Sequence, residues 1–197
     1  MVISGTEKTP ASTPSSLFKS GNVWLIVIAI AIVFVKVLFA NKLQELDEIV
    51  DMYGLKVLGC LCINNKSKNV IDNWLLEKKN KAIGEQVQTI EMITTNIKIA
   101  CESMKEKKVY LTGSVDMNLI RGMEKYHEIK KCLLNEGIEL IEGDNILLNA
   151  QSYMKMCETS AVIFVEGVDC SLYKDMDGEF IKAHDADVKI LGCMIVA

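Results

Sequence analysis

From Lys81 onward this 197-residue chain alternates short, almost wholly apolar runs with longer stretches of helical periodicity. The runs are "KKVYLTGS", "GIELIEG", "SAVIFVEG" and "VKILGCMIVA", and the intervening helices are expected over Asn118–Asn135, Leu147–Cys157 and Tyr173–Ala183. Strands separated by a dozen or more residues cannot be hairpin neighbours and must be joined by crossovers, which are right-handed and lay helices on both faces of a parallel sheet. A run such as "AVIFV", apolar at every position instead of every second one, fits a strand buried on both sides. A helix over Lys81–Met104 precedes the first of these strands, with Val87, Ile90, Ile93, Ile97 and Cys101 along one face. The expected fold class is therefore α/β with a mainly parallel sheet.

Ahead of this region stands "VWLIVIAIAIVFVKVLFA", Val23 to Ala40. As a helix it reaches about 27 Å, close to the hydrocarbon thickness of roughly 30 Å. Trp24 falls where an interfacial aromatic sits, and Lys36 lies about one turn from the other end, within reach of headgroups. A signal peptide would have a shorter apolar run and a better cleavage site than "LFAN". All seven cysteines follow the run at irregular spacing, which suits a reducing compartment. The expected organisation is a flexible leader over 1–22, a transmembrane helix over 23–40, a juxtamembrane helix, strand and linker over 41–80, and a cytoplasmic α/β domain over 81–197. Within 41–80, Leu43, Leu46, Ile49 and Val50 recur at helical spacing, Gly54 ends the helix, and "LKVLGCLCI" reads as a buried strand. The expected location is the cell membrane, single-pass, with the C-terminal domain inside. A formal charge of −4 and no basic stripe argue against nucleic acid as a partner.

"LDEIVDMYGLKVLGCL", directly after an apolar helix, resembles the cytoplasmic start of bacterial polysaccharide chain-length determinants, the co-polymerases of capsule and exopolysaccharide synthesis. "QTIEMITTNI" followed by "KEKKVYLTGS" is similar to the helix and first strand of the bacterial tyrosine kinase domains fused to or paired with those proteins, and the tail "SAVIFVEG" to "VKILGCMIVA" resembles their last two strands. The resemblance implies a P-loop NTPase-like domain. It also implies partners: the membrane, polysaccharide-synthesis proteins or a true tyrosine kinase, and further copies of the chain. In the family the helix carries E-x-x-R-x-x-R-T-N; here the Glu and both Arg positions hold Gln88, Glu91 and Thr94, ahead of Thr95 and Asn96.

The stretch "YLTGSVDMNLIRG", Tyr110 to Gly122, stands where that family has its Walker A loop. Such a loop needs glycines that turn successive amides toward the β-phosphate, a Lys for the phosphate charge and a Ser or Thr for Mg²⁺. Counting from Gly113, the Gly-Lys-Ser/Thr positions hold Asn118, Leu119 and Ile120, and Asp116 sets a carboxylate in the turn, where it repels a triphosphate. The domain is thus expected to lack a functional Walker A and to be no enzyme, without cofactor or metal, and with Gly113, Ser114, Asp116, Asn118, Leu119 and Ile120 marking the degenerate site. For the metal-binding carboxylates of the family, "GIELIEGDNILL" offers Glu142 and Asp144 in a different context. A Rossmann site would need further glycines; a turn in which Asp116 or Ser114 caps the helix is favoured, and an uncharged or cationic ligand stays open.

Other constellations are thin. His127 and His184 are the only histidines. Cys60-Leu61-Cys62 points to opposite strand faces and no C-x-x-C exists, which argues against structural zinc. "KDMDGE", Lys174 to Glu179, lacks the length and terminal ligand of a calcium loop and reads as a solvated helix start. Trp74 suits a short amphipathic helix. The function these residues and the resemblance imply is a non-catalytic accessory, regulatory or scaffolding protein in surface polysaccharide synthesis and export. The alternatives are a membrane-anchored nucleotide-binding or kinase-like enzyme with an atypical site, and a generic membrane-anchored interaction module.

Overall fold

The computed structural model describes residues 20–38, 41–45, 47–61 and 89–197. The chain divides into two compact units, 1–40 and 41–197. In the first, a single helix, α1, runs over Ser20–Leu38, and its side chains from Trp24 to Val35 are all exposed. Among the described residues no helix is long and apolar enough to cross a membrane. The side chain of Lys36 lies outside the described set, as do residues 1–19 of the expected leader and Trp74, whereas the last three leader positions, from Ser20, belong to α1.

The second unit is built on a five-stranded sheet. Its elements are α2 (Asp47–Tyr53), β1 (Val57–Leu61), α3 (Ile90–Met104), β2 (Lys108–Thr112), α4 (Met117–Arg121), α5 (Glu124–Asn135), β3 (Glu139–Glu142), α6 (Ala150–Thr159), β4 (Ala161–Gly167), α7 (Tyr173–Asp185) and β5 (Lys189–Val196). The strand order is β1-β5-β4-β2-β3, and every pairing between these strands is parallel. β4 lies at the centre, and all seven of its residues are buried, as continuous apolarity demands of a strand covered twice.

Alternation along β4 divides the core in two. Ala161, Ile163 and Val165 face one layer with Ile93, Ile97 and Cys101 of α3 and Tyr126, Ile129 and Leu133 of α5. Val162 and Phe164 face the other, with Ile49 of α2, Met156 of α6, and Met176 and Ala183 of α7. In that second layer Phe180 stacks edge-on against both Phe164 and Tyr53, at centroid separations of 4.9 and 4.6 Å. The amphipathic face expected before β2 is therefore present in α3, with Ile93, Ile97, Ala100 and Cys101 buried; Val87 lies outside the described residues.

Three local features depart from a simple reading of periodicity. The helix expected over Asn118–Asn135 is two helices, because Gly122 and Met123 break the ladder between α4 and α5. β5 carries an irregularity against β4, where Leu191 is the extra residue, and β1 carries one against β5, where Leu58 is. The first adjoins Gly192, whose φ of 151° and whose missing Cβ, which would sit 2.5 Å from the Lys56 carbonyl oxygen, admit only glycine. Finally, Asn41 to Leu43 form a short antiparallel strap against the segment after β4. Leu43 N–H donates to the Ser171 carbonyl (2.9 Å), Asp169 N–H to the Leu43 carbonyl (2.7 Å), and Tyr173 N–H to the Asn41 carbonyl (3.1 Å).

Candidate functional site

The strand order reverses between β2 and β4: the chain leaves β2 toward β3 on one side and returns to β4 on the other. In parallel α/β sheets the crevice beyond the carboxyl ends of such a strand pair is the usual place for a ligand. Here the crevice is lined by Gly113, Ser114 and Val115 after β2 and by Glu166, Gly167 and Ser171 at and after β4.

Gly113 sets the geometry. A Cβ there would lie 2.0 Å from the Val165 carbonyl oxygen, so the exit of β2 presses directly on the backbone of β4. The turn is consequently shut down onto the strand. Ser114 Oγ donates to Glu166 Oε2 and is 2.6 Å from Ser171 Oγ, which in turn accepts from the Gly167 N–H at 2.7 Å. The Ser114 N–H faces the same Glu166 carboxyl. Its own side chains thus occupy the place where turn amides would meet an anion.

Behind this cluster stands a second acid. Glu166 and Glu179 of α7 are both fully buried and lie within hydrogen-bonding reach of each other. Asn145 Nδ2 donates to Glu179 Oε1 at 2.8 Å, while Glu166 Oε1 and Glu179 Oε2 have no hydrogen-bond donor when both groups are read as carboxylates. Burial pushes both acids up from the ordinary carboxylate range, and their proximity raises Glu179 further.

The end of β3 is built differently. Glu142 accepts from Lys130 Nζ, from Tyr126 Oη at 2.9 Å and from Arg121 Nε at 3.0 Å. Burial by itself would raise its pKa, but the three donors outweigh it and hold the carboxyl below the ordinary value. Arg121 is shared with Asn118 Oδ1 (3.1 Å) and approaches Asp144 (3.7 Å). Tyr126 is pushed far up by burial beside that negative charge.

The residues of the degenerate Walker A scatter along this edge. Gly113 is buried, and Ser114 is bonded inward. Asp116 is exposed and caps α4, accepting from the Asn118 N–H at 2.9 Å, so Asp116 and not Ser114 is the cap. Asn118 and Leu119 are exposed, whereas Ile120 is buried in the core. α4 is only five residues long and offers no extended N-terminal amide array.

Among the described residues no group of three or more His, Cys, Asp or Glu could hold a metal ion. "KDMDGE" lies within α7, and the solvated helix start expected there is half wrong: Met176 and Glu179 face the core. Cys60 is buried, while Cys62 lies outside the described residues. Asn96, the last residue of the eroded helix motif, donates from Nδ2 to the Leu58 carbonyl of β1 at 3.0 Å.

Sequence reasoning missed both buried acids, although each carries a signal. Glu166 is the lone charge closing an otherwise apolar strand. Glu179 falls three residues after Met176 and four before Ala183, on the apolar face of its helix.

A parallel sheet in this order with helices on both faces is a doubly wound α/β architecture. Among solved structures the chain resembles the BceF tyrosine kinase domain, with a TM-score of 0.50 and 11% identity, over 79% of this chain and 99% of that one. Weaker similarity extends to the chimerical protein CapA2B2 (TM-score 0.38, 10% identity, 77% and 98%) and to the kinase domain of Escherichia coli tyrosine kinase ETK (TM-score 0.37, 10% identity, 78% and 94%). The sequence matches no protein-family model and no curated protein. At this identity the likeness is one of fold: the domain is tyrosine-kinase-like in architecture.

Proposed function

We propose that this chain is a non-catalytic, membrane-anchored accessory or scaffolding protein of surface polysaccharide synthesis and export. The observation that carries the non-catalytic half is the closed turn after β2. Gly113 seats it on Val165, and the Ser114 hydroxyl is spent on Glu166 and Ser171. A triphosphate entering there meets the carboxyls of Glu166 and Asp116, with no lysine in the turn to offset them. Arg121, the one cation of α4, is held by Glu142.

The membrane half of the reading rests on α1 and its exposed apolar side chains, with the apolar sequence extending on either side of them. The polysaccharide half rests on the sequence resemblance to chain-length determinants and on the kinase-like fold. In this reading the domain presents its surface to a membrane polymerase, to an active tyrosine kinase or to other copies of itself.

Two measurements test the proposal. The full chain in detergent should show no change of melting temperature on adding ATP with Mg²⁺ and no release of phosphate; a saturable upward shift accompanied by ATP turnover would overturn the non-catalytic reading. Purification from membranes should co-elute a glycan polymerase or a tyrosine kinase. Recovery of the chain in the soluble fraction alone would overturn the anchor.

A further inference from the structure

We propose that Glu166 and Glu179 form a proton lock: one proton held between the two carboxyls keeps the end of β4, the loop through Ser171 and helix α7 closed on each other. When the proton leaves at rising pH, that loop and the strap at Asn41–Leu43 are released. The inference rests on the packing of the crevice and is independent of the functional reading above.

The geometry leaves the pair a single economical state. Each carboxyl has one oxygen satisfied by a neutral donor, Ser114 for Glu166 and Asn145 for Glu179, and one oxygen with none. Two bare oxygens, fully buried and facing ionised partners, would each forfeit hydration and repel the other. A proton between them turns one oxygen into a donor and the other into its acceptor, so both are satisfied at once, as in acid pairs that share a site.

Among the described residues only neutral donors and further acids surround the pair. From the loops the pair meets the hydroxyls of Ser114 and Ser171, the Ser114 N–H and the amide of Asn145. From α7 itself Asp175 adds negative charge, and across β5 the Cys193 thiol is pushed up by burial and by the two acids. From α2, Tyr53 faces Glu166 while donating to Asp177 at 2.7 Å. Among the described residues no lysine, arginine or histidine pairs with either acid.

The lock reaches the strap through few bonds. Ser171 holds Ser114 and Gly167 with its hydroxyl and Leu43 with its carbonyl, so repulsion at Glu166 acts on the residue to which the strap is tied. A group whose folded pKa is raised binds its proton more tightly in the folded state. The folded state is therefore favoured near the ordinary carboxylate value and loses that advantage as pH rises beyond it.

The full chain in detergent and chelator, melted between about pH 5 and about pH 8, is expected to fall in melting temperature toward the alkaline end. Glu179→Gln keeps the shape, donates one N–H to Glu166 and cannot ionise. It should flatten the profile and melt roughly 5 °C above the parent at the alkaline end. Hydrogen exchange on the unmodified chain gives a readout that needs no variant. After correction for intrinsic rates, the amides of Gly167, Ser171 and Leu43 should lose protection with rising pH and, at the alkaline end, exchange faster than those of Val109 and Leu140. A parent profile flat over this range, an unchanged slope in Glu179→Gln, or protection at Gly167, Ser171 and Leu43 that does not fall with pH would overturn the lock.

Discussion

Two acidic centres stand side by side at the carboxyl edge of one sheet, and they solve the problem of a buried carboxyl in opposite ways. At β3, Glu142 is surrounded by Arg121, Lys130 and Tyr126 and stays ionised below its ordinary range. At β4, Glu166 and Glu179 are more deeply buried, have no cation, and are pushed toward the protonated form. The difference teaches that the partners, more than depth alone, decide what a carboxyl does here. Charge-assisted donors make Glu142 a rivet, whereas neutral donors make the Glu166 pair responsive to pH.

The comparison breaks most completely if the turn between the two centres is moved. Gly113→Ala places a methyl 2.0 Å from the Val165 carbonyl oxygen. The expected cost is about 3 kcal/mol, from backbone displacement, read as a lower denaturant midpoint with the pH slope attributed to Glu166 weakened, since Ser114 moves with the turn. A midpoint equal to that of the parent would show that the turn is not seated on β4.

The next effect sharpens the β3 side. Glu142→Gln leaves Arg121 and Lys130 facing an uncharged amide and is expected to cost on the order of 2 kcal/mol at neutral pH. Because the folded pKa of Glu142 is depressed, its contribution is present above the ordinary carboxylate value and fades as pH falls below it. Parent and variant melting curves should therefore converge on the acid side and separate on the neutral side with the variant below the parent, whereas Glu179→Gln is expected to lie above the parent there. The smallest effect concerns Asp116, whose carboxylate belongs to neither centre. Asp116→Ala removes the cap of α4 and should lower stability by about 1 kcal/mol, as thermal melts at neutral pH would register.

Much of the architecture was legible because it is local. The unbroken apolarity of "AVIFV" identified a strand covered on both sides, and β4 is the central strand. The 3.6-residue spacing of Ile93, Ile97 and Cys101 identified the buried face of α3. Pairings between distant segments leave no such local trace. Periodicity does not tell that Val57–Leu61 sits beside β5 at the far edge, nor that Asn96 reaches it. The break at Gly122 was hidden by apolar residues that continue helical spacing across it.

The candidate site was half legible. The missing lysine and glycines of "TGSVDMNLIRG" are visible as residue types. What fills the crevice is visible only when residues 52 and more positions apart, such as Ser114 and Glu166, are brought together. Glu179 was concealed by its setting, since a carboxylate within "KDMDGE" looks like one more solvated charge until the helix phase is counted.

The strap at Asn41–Leu43 has a mechanical corollary. Load applied to the polypeptide upstream of Asn41 enters the domain through three backbone hydrogen bonds to the segment Asp169–Tyr173, ahead of any sheet strand. Tension would be delivered first to the segment between β4 and α7, before it reaches β1 along the chain.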